Sequence, residues 1–245
     1  MYDTELFKNR LNELHDRAVT RRIWIYSNFL SLSEQSEFLS MQLSDASLFG
    51  GYAAAERKIV CFGSEDSLGY SEIPPITCIR IEPVNEKFSD NLTHRDYLGS
   101  IIATGIDRGM LGDIIIRANT AWVICCDKIA DYIIASVKRV RHTTVRCSMC
   151  EVPEFINEEP SVTSAVAASE RLDAIVAGVY HISRSEGKQV VESGRVFLDG
   201  RLCENPSMII RPKTIVSVRG TGRFRYEGVE NETHRGRLRI LIRKY

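Results

Sequence analysis

The first stretch of the chain, residues 1–70, has apolar residues at helical spacing: Leu6, Leu11, Leu14, Ile23, Ile25 and Phe29. A second helix is predicted to start within Ser33–Ser36, directly before Phe38 and Leu39. The run Ile59–Phe62 is predicted as a strand that follows a turn. These patterns indicate a mainly helical N-terminal domain over residues 1–70.

Residues 71–150 alternate between strand and helix patterns. Strands are predicted over Thr77–Ile81, Asp113–Ile116, Ala121–Cys125 and Thr143–Cys147, and helices after the capping box Thr93–Asp96 and over Lys128–Val137. The two central strands are predicted to form a hairpin that turns at Asn119. The resulting order is βαββαβ, which is typical of a ferredoxin-like or RRM-like domain. The fold class is therefore predicted to be α+β.

The next segment, residues 151–168, is predicted to be a linker. It contains Pro153, Pro160 and four carboxylates but no hydrophobic periodicity. A C-terminal domain is expected over residues 169–245.

Two short helices are predicted at the start of the C-terminal domain. Ser169 is a candidate N-cap for a helix that carries Leu172 to Val179 on one face. A capping box over Ser183–Glu186 begins the second helix, which ends near Gly194. The start of a helix attracts phosphate, and Arg184, Ser185 and Lys188 lie within its first turn. A phosphate site is therefore predicted there.

The segments after these helices add further basic residues. Asp199-Gly200 predicts a tight hairpin that projects Arg195 and Arg201 near the helix end. Arg219 and Arg223 flank small residues that let an RNA backbone approach closely. Basic and apolar residues then alternate over 223–226 and 237–243, as in a half-buried hairpin. The arginine row there has two open interpretations, RNA contact or protection of an edge strand.

Charge is distributed unevenly, although the formal net charge is zero. Residues 1–160 hold 17 Lys+Arg against 23 Asp+Glu, whereas residues 161–245 hold 15 against 9. Because neutralising phosphates releases counterions, a polyanion such as RNA is expected to bind the C-terminal part.

The cysteines and the hydropathy of the chain limit which ligands and cellular compartments are expected. Seven cysteines, an odd and irregularly spaced set, favour reduced thiols in the cytoplasm. The spacing of Cys147 and Cys150 suits a metal knuckle, but no second such pair completes four ligands, so neither a metal nor a cofactor is expected. No apolar run approaches the roughly 18 residues of a membrane span, so no membrane partner is expected.

Five short segments of the C-terminal domain resemble the S4 family, the (αL-type) RNA-binding module of ribosomal protein S4. They are Arg171-Leu172-Asp173, Ser183-Arg184-Ser185, Gly194-Arg195-Val196, Asp199-Gly200 and Val218-Arg219-Gly220. Pro212-Lys213 departs from the Gly-Asp that the family usually has there. Asp173 is expected to orient Arg171 or to cap the helix locally. The candidate RNA-binding residues are Arg171, Ser183, Arg184, Ser185, Lys188, Arg195, Arg201, Arg219 and Arg223.

Motifs outside that domain extend the resemblance over nearly the whole chain. Gly50-Gly51-Tyr52, His94–Gly99 and Gly112-Asp113-Ile114 closely resemble the bacterial YlmH family of S4-domain proteins. This resemblance implies a helical N-terminal domain, an RNA-binding-like middle domain and a terminal S4 domain. It also implies that the protein binds rRNA and tRNA on the large ribosomal subunit in ribosome-associated quality control. Because the sequence contains no assembled catalytic constellation, the protein is expected to act without catalysis.

An RNA-modifying enzyme is the alternative from another class. S4 modules are often attached to pseudouridine synthases, which contain an Arg-Leu-Asp tripeptide, but here only 72 residues follow Asp173. An rRNA methyltransferase would need a Gly-rich turn between a strand and a helix, whereas Gly220–Gly222 lies between two strand-like segments. Aminoacyl-tRNA synthetase signatures are missing from the sequence. A scaffold role for residues 1–70 and base stacking on Trp122 remain open.

Overall fold

A computed structural model of the chain describes residues 4–157, 160–234 and 236–245. The chain divides into two compact units, residues 1–158 and 159–245. The predicted boundary at residue 70 falls inside the first unit. The α+β class predicted from the sequence is confirmed.

The N-terminal part of the first unit combines helices with a small sheet. Its elements are α1 (Thr4–Arg21), β1 (Ile25–Tyr26), α2 (Leu32–Met41), β2 (Ala46–Phe49), β3 (Ile59–Phe62) and α3 (Glu65–Leu68), with the strand order β1-β3-β2. Leu11, Phe38 and Phe62 are central to its core.

Two helix boundaries in this part differ from the prediction. Arg22 has a positive φ of 55° and ends α1, so Ile25 lies in a strand rather than in a continued helix. Helix α2 begins at Leu32, one residue before the predicted range Ser33–Ser36, because Ser31 and Glu34 form its capping box.

The middle part of the first unit has the predicted βαββαβ order with one additional short strand, β7 (Arg139–Val140), before the last strand. Its elements are β4 (Ile76–Pro83), α4 (His94–Ile102), β5 (Leu111–Arg117), β6 (Thr120–Cys126), α5 (Asp127–Ser136), β7 (Arg139–Val140) and β8 (Thr143–Cys150), and short 3₁₀ helices span Glu86–Phe88, Arg108–Met110 and Glu154–Asn157. The antiparallel sheet has the order β5-β6-β4-β8-β7, as in ferredoxin-like domains. Thr93 caps α4 as predicted, and Ala118 and Asn119 form the two-residue turn between β5 and β6.

The two faces of this sheet are both packed. Helices α4 and α5 cover one face, where Tyr97, Ile101 and Ile133 are fully buried. On the other face Ile124 and Cys78 pack against Phe29 and Ile59 from the N-terminal part. Residues from the N-terminal part therefore cover much of the face that RRM-like domains use for RNA.

A polar contact strengthens the same interface. The Asp113 carboxylate accepts hydrogen bonds from the Tyr52 hydroxyl (2.6 Å) and from the amides of Glu56 (2.7 Å) and Arg57 (3.0 Å). A side chain at Gly112 would place its Cβ 2.8 Å from the Phe29 ring. These motif residues therefore have a structural role in joining the N-terminal and middle parts.

The second unit is a six-stranded antiparallel sheet with two helices. Its elements are β9 (Val162–Ala167), α6 (Leu172–Tyr180), α7 (Arg184–Glu192), β10 (Val196–Leu198), β11 (Arg201–Leu202), β12 (Ile215–Val218), β13 (Gly222–Glu232) and β14 (Leu238–Lys244), with the strand order β11-β10-β12-β13-β14-β9. Leu172, Val191, Phe224 and Ile240 are fully buried between the helices and the sheet.

Part of the predicted linker 151–168 is a strand. Strand β9 pairs with β14 along six residues and buries Ala165 and Ala167. Residues 158 and 159 of the linker lie outside the described residues. Because β9 pairs with it, β14 is an inner strand. Of the two interpretations left open for its arginines, protection of a sheet edge is therefore wrong.

The predicted N-cap of α6 is also wrong. The N-cap position is Arg171 rather than Ser169. The first amides of the helix, those of Leu172 and Asp173, donate to the carbonyls of Met208 (2.8 Å) and Pro206 (3.1 Å). A loop that is distant in sequence therefore performs the capping that Ser169 was expected to supply.

Candidate RNA-binding site

The turn between α6 and α7 sets the position of the candidate phosphate site. His181 ends α6 with a positive φ of 54°, and Ser183 starts α7. The predicted capping box is confirmed, since the Ser183 hydroxyl accepts from the Glu186 amide (3.2 Å) and the Ser183 amide donates to the Glu186 carboxylate (2.8 Å). Gly187 lets the helices approach, because a Cβ there would lie 2.6 Å from the Asp173 carbonyl oxygen. Ser183 therefore acts mainly as the cap.

Four of the nine candidate residues surround one cleft beside α7, which we call the basic cleft. Its volume is about 540 Å³, and its lining comprises Arg171, Asp173, Arg184, Ser185, Lys188, Glu192, Pro206 and Ser207. The loop that caps α6 supplies Pro206 and Ser207, so one set of contacts fixes both the helix start and the cleft wall. Arg184 and Lys188 are more than half exposed and are accessible to a ligand.

A single buried carboxylate orients the cations of the basic cleft. Asp173 is 2% exposed and accepts two hydrogen bonds from the Arg171 guanidinium, at 3.0 and 2.9 Å, and one from the Ala174 amide at 2.8 Å. Arg184 Nε lies 3.9 Å from the same carboxylate. Burial opposes ionisation, but the hydrogen bonds from Arg171 and Ala174 outweigh it and lower the pKa of Asp173. The expectation that Asp173 orients Arg171 is confirmed.

Three other candidate residues lie together at a different place in the unit. Arg195 donates to the Arg219 carbonyl from Nε (3.2 Å) and Nη2 (2.8 Å). The Arg219 guanidinium lies 4.5 Å from the centre of the Phe197 ring, and that of Arg223 lies 5.0 Å from the centre of Tyr245. Backbone and aromatic contacts therefore hold these cations in place.

Arg195 borders a second cleft, which we call the apolar cleft. It is lined by Val176, Tyr180, Ile182, Glu186, Gln189, Val190, Ser193, Arg195, Val218 and Thr221. These α7 residues lie on a different face of the helix from Arg184 and Lys188. The structure therefore places Lys188 and Arg195 in the linings of two different clefts. Arg201 lies on β11, next to the confirmed Asp199-Gly200 turn, and lines neither cleft.

The terminal arginine row contains an acidic centre that the sequence analysis missed. Glu227 is 8% exposed and accepts from Arg225 Nε (2.7 Å) and Arg243 Nε (3.0 Å), and it also binds Lys213. Burial opposes ionisation, but the hydrogen bonds from Lys213 and Arg225 outweigh it and lower the pKa of Glu227 to about 2. The available signal was an acidic residue directly after the basic alternation of residues 223–226.

The structure also shows how the unusual Pro212-Lys213 turn forms. Lys213 has a positive φ of 75°, its amide donates to the Tyr226 carbonyl (2.6 Å), and its ammonium group binds Glu227. These contacts hold Lys213 in a left-handed backbone conformation, which glycine adopts more readily than other residues.

The middle domain presents a different arrangement of aromatic and basic groups. Trp122 packs edge to face on Phe155, with centroids 4.9 Å apart, and the Arg117 guanidinium lies over Phe155 at 4.7 Å. Arg80 and Arg146 both pair with Glu82, at 3.3 and 2.6 Å. Trp122, the candidate stacking residue, and the nearby arginines therefore already have partners within the chain.

Cys147 and Cys150 do not form a metal knuckle. They are three residues apart on strand β8, and their side chains pack on opposite faces of the sheet. Cys147 donates to the Val137 carbonyl, and Cys150 lies 3.6 Å from the sulfur of Cys78. Within the described ranges, no group of three or more His, Cys, Asp or Glu side chains is placed to hold a metal ion. Over the same ranges, no helix has the length and apolar character that crossing a membrane requires.

Comparison with known proteins supports this interpretation of the C-terminal unit. Residues 170–216 match the model of the S4 domain. Together with the basic cleft, this match defines the chain as an RNA-binding protein of the S4 class.

A second match identifies the family. Residues 76–154 match the model described as the putative RNA-binding domain in YlmH, and the chain belongs to the YlmH family. The chain is 25% identical over 202 residues to ribosome-associated protein quality control protein P2 of Bacillus subtilis. The aligned region covers 80% of this chain and 76% of that protein.

A solved structure, cell division protein ylmH from Streptococcus pneumoniae, is also similar. It is 18% identical, covers 64% of this chain and 98% of its own, and has a TM-score of 0.48.

Proposed function

We propose that this chain binds structured RNA through the basic cleft and acts on the large ribosomal subunit during ribosome-associated quality control, where it contacts rRNA and tRNA. The arrangement of Arg171, Arg184, Ser185 and Lys188 around buried Asp173 carries the proposal. Arg195, Arg201, Arg219 and Arg223 add contacts outside that cleft. The name of the Bacillus subtilis relative supports the ribosomal setting, which also favours the cytoplasm.

The chemistry of the basic cleft suits phosphate better than a neutral ligand. Guanidinium and ammonium groups form charge-assisted hydrogen bonds with phosphate oxygens, and the N-terminus of α7 adds a favourable dipole. Asp173 is buried against Arg171, so its charge orients the cations and is shielded from a bound phosphate.

We further propose that the protein acts without catalysis. In the rival pseudouridine synthase reading, Asp173 would have to reach a substrate base. It is instead 2% exposed and saturated by Arg171 and Ala174. Release of tritium from labelled uridine in ribosomal RNA, or transfer of methyl groups to ribosomal RNA, would support the alternative hypothesis of an RNA-modifying enzyme.

Cosedimentation with purified ribosomal subunits tests the proposed function. We expect the full chain to pellet with large subunits and not with small ones at low salt. The double variant Arg184→Ala/Lys188→Ala should remain largely in the supernatant. A matched control, Arg10→Ala/Arg17→Ala, removes the same charge from exposed positions on α1 and should pellet like the parent chain. Equal pelleting of the parent chain and the α7 variant would contradict the assignment of the basic cleft.

A further inference from the structure

The apolar cleft has the dimensions and wall chemistry of a small-ligand site. Its volume is about 530 Å³, within the range of ligand pockets. Its walls include Val176, Ile182, Val190 and Val218 together with the ring of Tyr180. A flat apolar group bound in the cleft would shield these side chains from water.

Polar groups lie at the edge of this cleft. The Gln189 side chain is exposed, and among the described residues it makes no hydrogen bond. An amide side chain offers both donors and an acceptor, which is the combination that reads the edge of a nucleobase. The Glu186 carboxylate is already committed to the Ser183 amide. Gln189 is therefore the group on α7 best suited to contact a ligand.

A third observation concerns the hydroxyl of Tyr180. This oxygen is buried and has no hydrogen-bond partner among the described residues. It lies beside Gly222, where a Cβ would be 3.6 Å away. A buried hydroxyl without a partner is energetically unfavourable, and a polar atom of a bound ligand would satisfy it.

Positive charge around the cleft indicates an anionic ligand. Arg195 lines the cleft and is held by the carbonyl of Arg219. The Lys244 ammonium lies 5.8 Å from the centre of the Tyr180 ring and donates to the Val179 carbonyl at 3.0 Å. An apolar slot with cations beside it matches a nucleotide, whose base is flat and whose phosphate is charged.

From these observations we propose that the apolar cleft accepts one unpaired base of the bound RNA. Gln189 contacts the edge of the base, Tyr180 and Val190 contact its faces, and Arg195 and Arg219 hold the adjoining phosphates. The inference rests on the proposed function and adds to it. The C-terminal unit would bind phosphates on one face of α7 and an unpaired nucleotide on another.

A set of RNA hairpins tests the base pocket directly. The hairpins share one stem and differ at one bulged position, which carries A, C, G, U, an abasic sugar or no nucleotide. For the full chain we expect the preferred bulged base to bind about tenfold more tightly than the abasic bulge, as one inserted base would produce. The variant Val190→Trp fills the cleft and should abolish that difference without weakening binding to the abasic hairpin.

A milder variant and a second readout guard against misfolding of Val190→Trp. Gln189→Ala changes an exposed side chain and should reduce the preference for the bulged base, whereas the exposed amide control Asn91→Ala in the first unit should not. A 4-thiouridine at the bulge should crosslink to the peptide that contains Tyr180 or Val190, detected by mass spectrometry.

The outcomes separate this inference from the proposed function. Equal affinity for base and abasic bulges, or a preference that survives in both cleft variants, would show that there is no base pocket while leaving phosphate binding intact. Crosslinks confined to Arg184 and Lys188 would also contradict the base pocket while leaving phosphate binding intact. Binding to none of the hairpins would contradict structured-RNA binding itself, and the inference with it.

Discussion

The middle domain and the C-terminal unit are both antiparallel sheets with two helices, yet they place their arginines differently. In the middle domain, residues from the N-terminal part pack on the second face of the sheet, and Arg80 and Arg146 pair with Glu82. In the C-terminal unit, Arg171, Arg184 and Lys188 border an open cleft. A fold that is typical of RNA-binding proteins therefore does not by itself identify the RNA-binding surface. What covers each face must also be known.

The largest expected effect tests the covered face of the middle domain. Ile124 is 1% exposed and packs against residues of the N-terminal part. Ile124→Ala should lower the free energy of unfolding of the first unit by about 3 kcal/mol, because it leaves a cavity. Both tryptophans, Trp24 and Trp122, lie in this unit, so fluorescence during urea unfolding reports it. Val229→Ala in the second unit is the control, and a loss below about 0.5 kcal/mol would mean that the face is not covered.

The next effect tests how the basic cleft is held. Asp173→Ala leaves Arg171 without its partner and the Ala174 amide without its acceptor, and should destabilise the second unit by about 2 kcal/mol. Because the pKa of Asp173 is lowered in the folded protein, its contribution is present above the unfolded pKa and disappears as pH falls through the folded value. Hydrogen exchange of α6 and α7 measures both effects. Unchanged protection would contradict the role given to Asp173.

Glu227 gives a pH-dependent test within the same unit. Its pKa is lowered from 4.5 to about 2, so its stabilising contribution is complete above about pH 4.5 and is lost as pH falls towards 2. Glu227→Gln should be less stable at neutral pH and should lose less stability on acidification. Circular dichroism during thermal unfolding at several pH values checks this expectation. Parallel pH profiles for the two proteins would refute it.

The smallest effect concerns an exposed ion pair at the edge of the basic cleft. Lys188 Nζ lies 3.6 Å from the Glu192 carboxylate one helical turn away. Glu192→Gln should change stability by less than about 0.5 kcal/mol. It should also strengthen RNA binding slightly, since it removes a negative charge next to Lys188. Electrophoretic mobility shifts with a structured RNA measure this, and weaker binding would argue against phosphate contact at Lys188.

Local sequence signals predicted most of the elements. The capping boxes at Thr93 and Ser183 and the turns at Asn119 and Asp199 each depend on residues a few positions apart. Strand β9 was missed because its partner β14 lies more than 70 residues later in the chain, so no local signal shows the pairing. The cap of α6 was misassigned for a related reason, since a distant loop supplies it.

The candidate residues were named from the sequence, but their division between two clefts was not predicted. Residues four apart on a helix share a face. Arg184 and Lys188 therefore lie on one face of α7, and Gln189 and Ser193 lie on another. That spacing was available in the sequence and separates the two clefts. The position of Arg195 was not available, because it depends on the pairing of β10 with β12.

The central claim is that the basic cleft binds phosphates of ribosomal RNA. The most direct test is the salt dependence of binding to purified large subunits, measured for the parent chain and for Arg184→Ala/Lys188→Ala. Affinity should fall linearly with salt on logarithmic axes, and the variant should bind more weakly with a slope reduced by about 2, one for each lost contact. The same slope and the same affinity in both proteins would contradict the claim.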